Sequence, residues 1–389
     1  MVGAMTDETV AALRADVERL AAMTRDSAGA GERAAAEWVA GRMREAGVAD
    51  VRLESFRYSP TYADSYALHS AAIGAGALLG GRRGAALALA ALASLELDVS
   101  GRNQWLRRVL PRGEGRNVVG RLPARGGRRA TLVVVAHHDA ARTGLIWHPA
   151  VTAAGANRRL RRKAMDPAGL PFAAAALAAA SGRRAGRILG GALAALGVAL
   201  MVDVRRSPTV PGASDNATGV AAMLELAGRL ASDRPDGLEV LLVSTGCEES
   251  GMGGMAAFLA AHHREIDPAT TFVMGLDTLG AGVPIVARAE GVLLPHSYAD
   301  RDLDLVDIAA LRAGLRPPQR WRIGAYTDPI LARFAGLRAV SLLSVGPDGL
   351  YGDYHLPTDT PDRVDWDSVV ACLALADAVA HQLPRTLGR

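Results

Sequence analysis

Gly246-Cys247-Glu248-Glu249-Ser250-Gly251 closes the apolar run Leu238–Ser244. Two adjacent carboxylates stand where a strand should end and a glycine-rich turn begin. Neighbouring side chains of a strand point to opposite faces, but at its end the chain can turn both acids toward one cleft. Alone, a Glu-Glu pair is most simply a solvated pair. It gains meaning because metal-type residues recur elsewhere in the chain: His137, Asp215, Asp277 and His355. His137, Glu248, Glu249 and Asp277 each fall at or just after the C-terminal end of a predicted strand, where open α/β sheets bind their ligands.

Working outward, strands are predicted at Val51–Tyr58, Asn117–Leu122, Thr131–Ala136, Leu238–Ser244, Thr271–Leu276, Val283–Ala287 and Arg338–Ser344. Helical periodicity predicts helices over 7–23, 31–46, 216–231, 253–264, 302–314, 328–335 and 365–383. Strands alternating with helices imply an α/β fold with a mainly parallel central sheet and helices on both faces. Residues 1–389 read as one catalytic domain.

Composition narrows the function. The chain has 389 residues, half of them hydrophobic, enough for a large core. Aromatic content of 4% argues against a base-stacking surface and hence a nucleic-acid partner. Two cysteines, Cys247 and Cys372, give no disulfide framework and no thiolate metal site. The N-terminus shows neither a basic nor an apolar leader region, so the cytoplasm is expected.

Taken singly, each candidate has a structural explanation. His137 could simply end a strand, Asp215 could bond its own turn or cap the next helix, and His355 could lie on a surface loop beside Tyr354. Together they supply two imidazoles and four carboxylates, a nitrogen and oxygen donor set that suits zinc.

In this order the motifs resemble those of the co-catalytic dizinc aminopeptidases, relatives of bacterial leucyl aminopeptidases, glutamate carboxypeptidase and glutaminyl cyclase. The resemblance is carried by Ala136-His137-His138-Asp139, Gly212-Ala213-Ser214-Asp215-Asn216-Ala217-Thr218-Gly219, Glu248-Glu249-Ser250-Gly251-Met252-Gly253-Gly254, Leu276-Asp277-Thr278-Leu279-Gly280 and Tyr354-His355-Leu356-Pro357-Thr358-Asp359. It implies a zinc aminopeptidase or phosphorylase/hydrolase-like fold acting on a peptide substrate. It implies two zinc ions per chain, bridged by Asp215. His137 and Asp277 would complete one ion's protein ligands, and Glu249 and His355 the other's. Glu248 would be the general base, taking a proton from the attacking water and returning it to the leaving amine. Asp139 would hold His137 in its tautomer, with Asp359 a further supporting carboxylate, and the Asp215–Asn216 bond would be cis. Where the family often has Ser-Asp-His, this chain reads Tyr326-Thr327-Asp328-Pro329. Contacts on the substrate side therefore differ, and Tyr326 becomes a candidate oxyanion partner. The alternatives are a glutaminyl-cyclase-like transferase with a single zinc, and a non-catalytic membrane-associated scaffold.

Two apolar inserts, 62–112 and 150–206, fall outside the resemblance and read as helical hairpins. They fit a lid, a dimer surface of a homo-oligomer, or a membrane anchor in which 66–98 and 168–203 contact lipid. Arms of about fifteen residues are shorter than the ~20 that span a bilayer, although Tyr62–Gly81 and Ala185–Asp203 nearly reach that length. Arg102, Arg107, Arg108, Arg112, the Arg158–Lys163 cluster, Arg205 and Arg206 at the bases outnumber Arg82, Arg83, Arg183, Arg184 and Arg187 at the tips. That bias would put the catalytic part at the inner face of the membrane.

Overall fold

The computed structural model describes residues 7–152 and 155–387. Helix α1 (Asp7–Ala21) buries Leu13, Val17 and Leu20, and α2 (Ala30–Glu45) buries Ala35, Val39 and Met43; both show the i, i+3/i+4 stripe of a helix packed on a core. Strand β1 (Asp50–Tyr58) leads to helices α3 (Ala63–Leu79), α4 (Gly81–Val99) and α5 (Trp105–Val109), and the chain returns through β2 (Gly113–Leu122) and β3 (Ala130–His137). A second helical stretch holds α6 (Pro149–Thr152), α7 (Ala156–Arg162), α8 (Leu170–Ala180) and α9 (Arg184–Arg206). Then come α10 (Thr218–Ser232), β4 (Leu238–Thr245), α11 (Gly253–His262), β5 (Thr271–Leu276), β6 (Val283–Glu290), β7 (His296–Ser297), α12 (Asp300–Arg312), β8 (Gln319–Ile323), α13 (Pro329–Phe334), β9 (Arg338–Val345) and α14 (Trp366–Leu387).

Among the described residues the strands form one nine-stranded sheet in the order β1-β2-β4-β3-β5-β9-β6-β7, with β8 pairing β6. Every residue of β3 and β5 is buried, so both faces of the sheet are covered there and the strands read as unbroken apolar runs. β4, β3, β5 and β9 run parallel to their neighbours in that block. The expectation of a mainly parallel sheet is corrected: β1 with β2, β2 with β4, β6 with β9 and β6 with β7 are antiparallel, and the sheet is mixed. The reason lies in the connections. Helices between β1 and β2 look like a crossover in sequence, yet Tyr58 pairs with Gly113 in register. The chain leaves and re-enters at the same end, as across a hairpin turn. The second helical stretch has a similar neck: Arg142 bridges Thr209, and Val210 N donates to Ala141 O at 2.9 Å.

The two apolar stretches pack on each other as one four-helix bundle, α3 against α4 and α9, α8 against α4 and α9. Its interior is built from small residues around Ile73: Ala77, Ala88, Ala91, Ala175, Ala176, Ala179 and Ala194. A Cβ on Gly76 would lie 2.6 Å from the Gly84 carbonyl oxygen, so α3 and α4 meet backbone to backbone. The outer faces carry exposed Leu78, Leu79, Leu177, Ile188, Leu189 and Leu196. Two arginines that the sequence groups with the flanking charges are buried. Arg107 pairs with Asp98 at 2.7 Å, and Arg159 Nε donates to Asp348 O at 3.1 Å.

Candidate metal centre

Because β3, β4 and β5 run parallel, their C-terminal ends open on one side of the sheet, and the motif residues gather there. His137 ends β3, Glu248 and Glu249 lie in the turn after β4, and Asp277 follows β5. Asp215 comes from the turn before α10 and His355 from the loop after β9. The Asp215–Asn216 peptide bond is cis, the isomer implied by the resemblance. Asn216 ties this turn to the end of β5: its Nδ2 donates to Leu276 O at 2.9 Å, and its Oδ1 accepts from Thr278 N at 3.1 Å.

Asp215 stands between the two histidines. His137 Nε2 lies 3.2 Å from its Oδ1, and His355 Nε2 lies 3.3 Å from its Oδ2. His137 Nε2 is also 3.9 Å from Asp277 Oδ2, and His355 Nε2 is 3.1 Å from Glu249 Oε2. Two groups result, His137/Asp215/Asp277 and Asp215/Glu249/His355, each with its donor atoms within 4.8 Å of one another. Glu248 belongs to neither group; its Oε2 is 4.0 Å from His137 Nε2.

Several of these separations are within hydrogen-bonding reach, but the cluster does not satisfy all of its own polar atoms. Both ring nitrogens of His355 and Oε1 of Glu249 are buried without a hydrogen bond, an arrangement that costs free energy unless another partner is supplied. Electrostatics agree. Burial pushes the Glu248 carboxyl well up, with Asp328, Glu249 and Asp277 adding to it. Burial likewise raises Glu249 to about 7 and Asp277 to about 6. Asp215 is held low against the cost of its burial because His137 and His355 face it. His355 rises to about 10, since Glu249 and Asp215 outweigh the burial that opposes its charge. A pocket this rich in acids, with nitrogen and oxygen donors converging in two groups, fits zinc.

Supporting contacts explain the geometry. Asp139 accepts hydrogen bonds from Ser27 Oγ at 2.7 Å and from the backbone N–H groups of Glu248 and Glu249, each at 3.1 Å. Its Oδ1 is 3.4 Å from His137 Nδ1. The residue assigned to orient His137 therefore also fixes both glutamates. Asp359 accepts from Ser214 N at 2.7 Å and Asp215 N at 3.1 Å. Tyr326 lies on the cleft wall, but its hydroxyl is 3.2 Å from both Glu96 Oε1 and Leu294 O. Cys247 is buried, and its thiol is pushed well up by burial beside Glu32.

Three supporting residues were not predicted. Arg25, fully buried, donates to His138 O at 3.0 Å, Pro211 O at 2.6 Å and Gly212 O at 2.8 Å, joining the His137 and Asp215 loops. Glu32 accepts from Ala28 N at 2.7 Å, Arg116 N at 3.0 Å and Cys247 N at 3.1 Å. Asp328 accepts from Thr245 Oγ1; burial raises its pKa to about 7.

The fold is similar to that of zinc aminopeptidases and glutaminyl cyclases of known structure. The aminopeptidase from Aneurinibacillus sp. strain AM-1 superposes with a TM-score of 0.59 at 13% identity, covering 96% of this chain and 93% of that one. A zinc aminopeptidase from Bacillus subtilis gives 0.55 at 14% identity, over 95% and 94% of the two chains. The glutaminyl cyclase of Fimbriiglobus ruber gives 0.55 at 14% identity, over 96% and 95%. No curated protein sequence matches the chain. Residues 201–380 match the model of Peptidase family M28, a span that includes Asp215, Glu248, Glu249, Asp277 and His355. The resemblance read from the motifs is borne out, and together these findings support a zinc-dependent peptidase.

Proposed function

We propose that the protein is a dizinc exopeptidase that removes N-terminal residues from peptides. One observation carries this reading: a single carboxylate, Asp215, serves two His-carboxylate groups at once, while Glu248 stands beside them and joins neither. His137, Asp215 and Asp277 would hold one zinc, and Asp215, Glu249 and His355 the other. Zinc bound there would lower the pKa of a water and polarise a carbonyl. Glu248 carries the proton: its buried carboxyl accepts one as water attacks and delivers it to the departing amine. Asp139 keeps Glu248 and Glu249 turned to the same side through its two backbone bonds. A single-zinc cyclase would leave one of the two donor groups without a function.

Zinc content of gently purified protein, with hydrolysis of aminoacyl chromogenic substrates, tests the proposal. About two zinc per chain and chelator-sensitive cleavage are expected. Glu248→Gln should keep the zinc and lose roughly 10²–10⁴-fold in kcat. One zinc per chain without cleavage would favour the cyclase reading.

The bundle is part of the same proposal. Among the described residues, α9 is the helix long and apolar enough to cross a membrane, and few of its residues are fully buried. At 1.5 Å per residue it is about 34 Å long, against a hydrocarbon thickness of about 30 Å. Seated in lipid through α3, α4, α8 and α9, the protein would hold its catalytic part at the cytoplasmic face. Flotation with lipid vesicles tests this, and protein that stays at the bottom of the gradient would refute it.

A further inference from the structure

The space among His137, Asp215, Glu248 and Asp277 is about 20 Å³, room for roughly one water-sized group. Beside it lies a half-open chamber of about 790 Å³, with Glu248, Glu249 and His355 among its lining residues. That is the size of a pocket for a drug-sized molecule, roughly 300–1,000 Å³.

The chamber runs from the catalytic cluster into the bundle. Phe172 of α8 meets Tyr66 of α3 edge-on, with ring centres 5.8 Å apart, and Tyr66 lies 5.0 Å from Tyr62. Near the cluster, Trp147 packs edge-on against His355 at 4.4 Å. Leu193, Leu200 and Met201 of α9 and Ile73 of α3 line the chamber. Among the described residues, the lining contributed by α3, α8 and α9 includes no charged side chain; the acidic and basic side chains are Glu248, Glu249 and His355 at the cluster and Arg158, Arg159 and Asp166. A polypeptide entering the bundle part would bury amide groups against walls with few polar partners, which is costly. A hydrocarbon chain needs no such partners and gains from burial.

We propose that the chamber receives an extended apolar chain of the substrate, so that the preferred substrate is an amide carrying a long hydrocarbon group on one side of the scissile bond. The inference rests on the hydrolase reading above. The cleavage is ordinary amide hydrolysis: water adds across the C–N bond to give the carboxylic acid and the amine. The chamber's position decides the substrate class, because Glu248 and Glu249 are part of its lining and an amide attached to a chain seated there lies beside Glu248.

The decisive test is binding, measured on the full chain in detergent-free solution with dansyl-labelled undecanoic acid. Saturable fluorescence enhancement is expected. Leu200→Trp, which fills the chamber, should weaken binding at least tenfold at an unchanged thermal midpoint, while Leu177→Trp on the outer face of α8 should not. No saturable binding by the intact chain, or equal binding by Leu200→Trp, would overturn the proposal. Turnover is read separately on two series, amino acid anilides with lengthening side chains and alanine alkylamides with lengthening amines. In one series kcat/KM should rise about fourfold per added methylene, the equivalent of ~0.8 kcal/mol; cleavage that ignores chain length in both would also overturn it. Failure to cleave any member would refute the peptidase reading alone, and the binding result would still decide the chamber.

Discussion

Asp139→Asn isolates the contact that aligns the two glutamates. The carboxylate is surrounded by donors: Glu248 N–H and His137 Nδ1 face Oδ1, and Glu249 N–H and Ser27 Oγ face Oδ2. An asparagine offers one acceptor oxygen, so in either orientation its NH2 points at a backbone N–H. Ser27 can rotate its hydroxyl away, but a backbone N–H cannot turn. One charge-assisted bond is lost and one buried N–H is left unpaired, together worth about 2–3 kcal/mol. The His137 ring loses the neighbouring negative charge, although its Nδ1 keeps the Asp139 backbone oxygen at 3.2 Å, so metal affinity should fall at the low end of the roughly 10–100-fold typical for such partners. Denaturant unfolding of the metal-free protein reads the first effect, and zinc competition with a chromophoric chelator reads the second. A variant within about 0.5 kcal/mol in stability and within twofold in zinc affinity would refute the account of Asp139.

Glu290 tests burial away from the metal donors. Its pKa is raised from 4.5 to about 7 by burial, against the hydrogen bonds from Thr327, Tyr298 and Ser341. The folded state thus binds the proton more tightly than the unfolded one, so stability falls as pH rises from 4.5 to 7 and by no more above it. The full difference is about 3 kcal/mol; Glu290→Gln should flatten that part of a urea-unfolding pH profile. In the bundle, Gly76→Ala places a Cβ 2.6 Å from the Gly84 oxygen and should cost about 1–3 kcal/mol. Gly41→Ala in α2 meets no atom within 4 Å and should stabilise by roughly 0.5–1 kcal/mol. Thermal unfolding of both variants checks the contrast.

The convergence of the candidate residues was legible because each motif is local: a donor follows a strand or a turn within a few positions, and parallel strands then bring the ends together. Strand direction was not legible. Register between Tyr58 and Gly113 is a property of two segments separated by three helices. β8 escaped detection because Gln319–Ile323 is short and carries two arginines on a partly buried edge. Arg25 and Glu32 were missed for a related reason. They act on backbone groups brought near by the fold, from His138 O to Cys247 N, and sequence spacing says nothing of such partners. Counting arginines around the apolar stretches likewise could not separate a solvated charge from Arg107, sealed against Asp98.

The two necks, Tyr58 with Gly113 and Arg142 with Thr209, give the molecule a modular economy. Each excursion departs and returns across a single pair of facing residues, so either could be replaced by a tight turn without rerouting a strand of the sheet. The bundle, however, draws helices from both. Excising one excursion would strip its partner of the helices it packs against, and excising the second would also remove Trp147 from the side of His355. The helical appendage is thus separable from the sheet as a pair and inseparable within itself, so the two excursions would be gained or lost together.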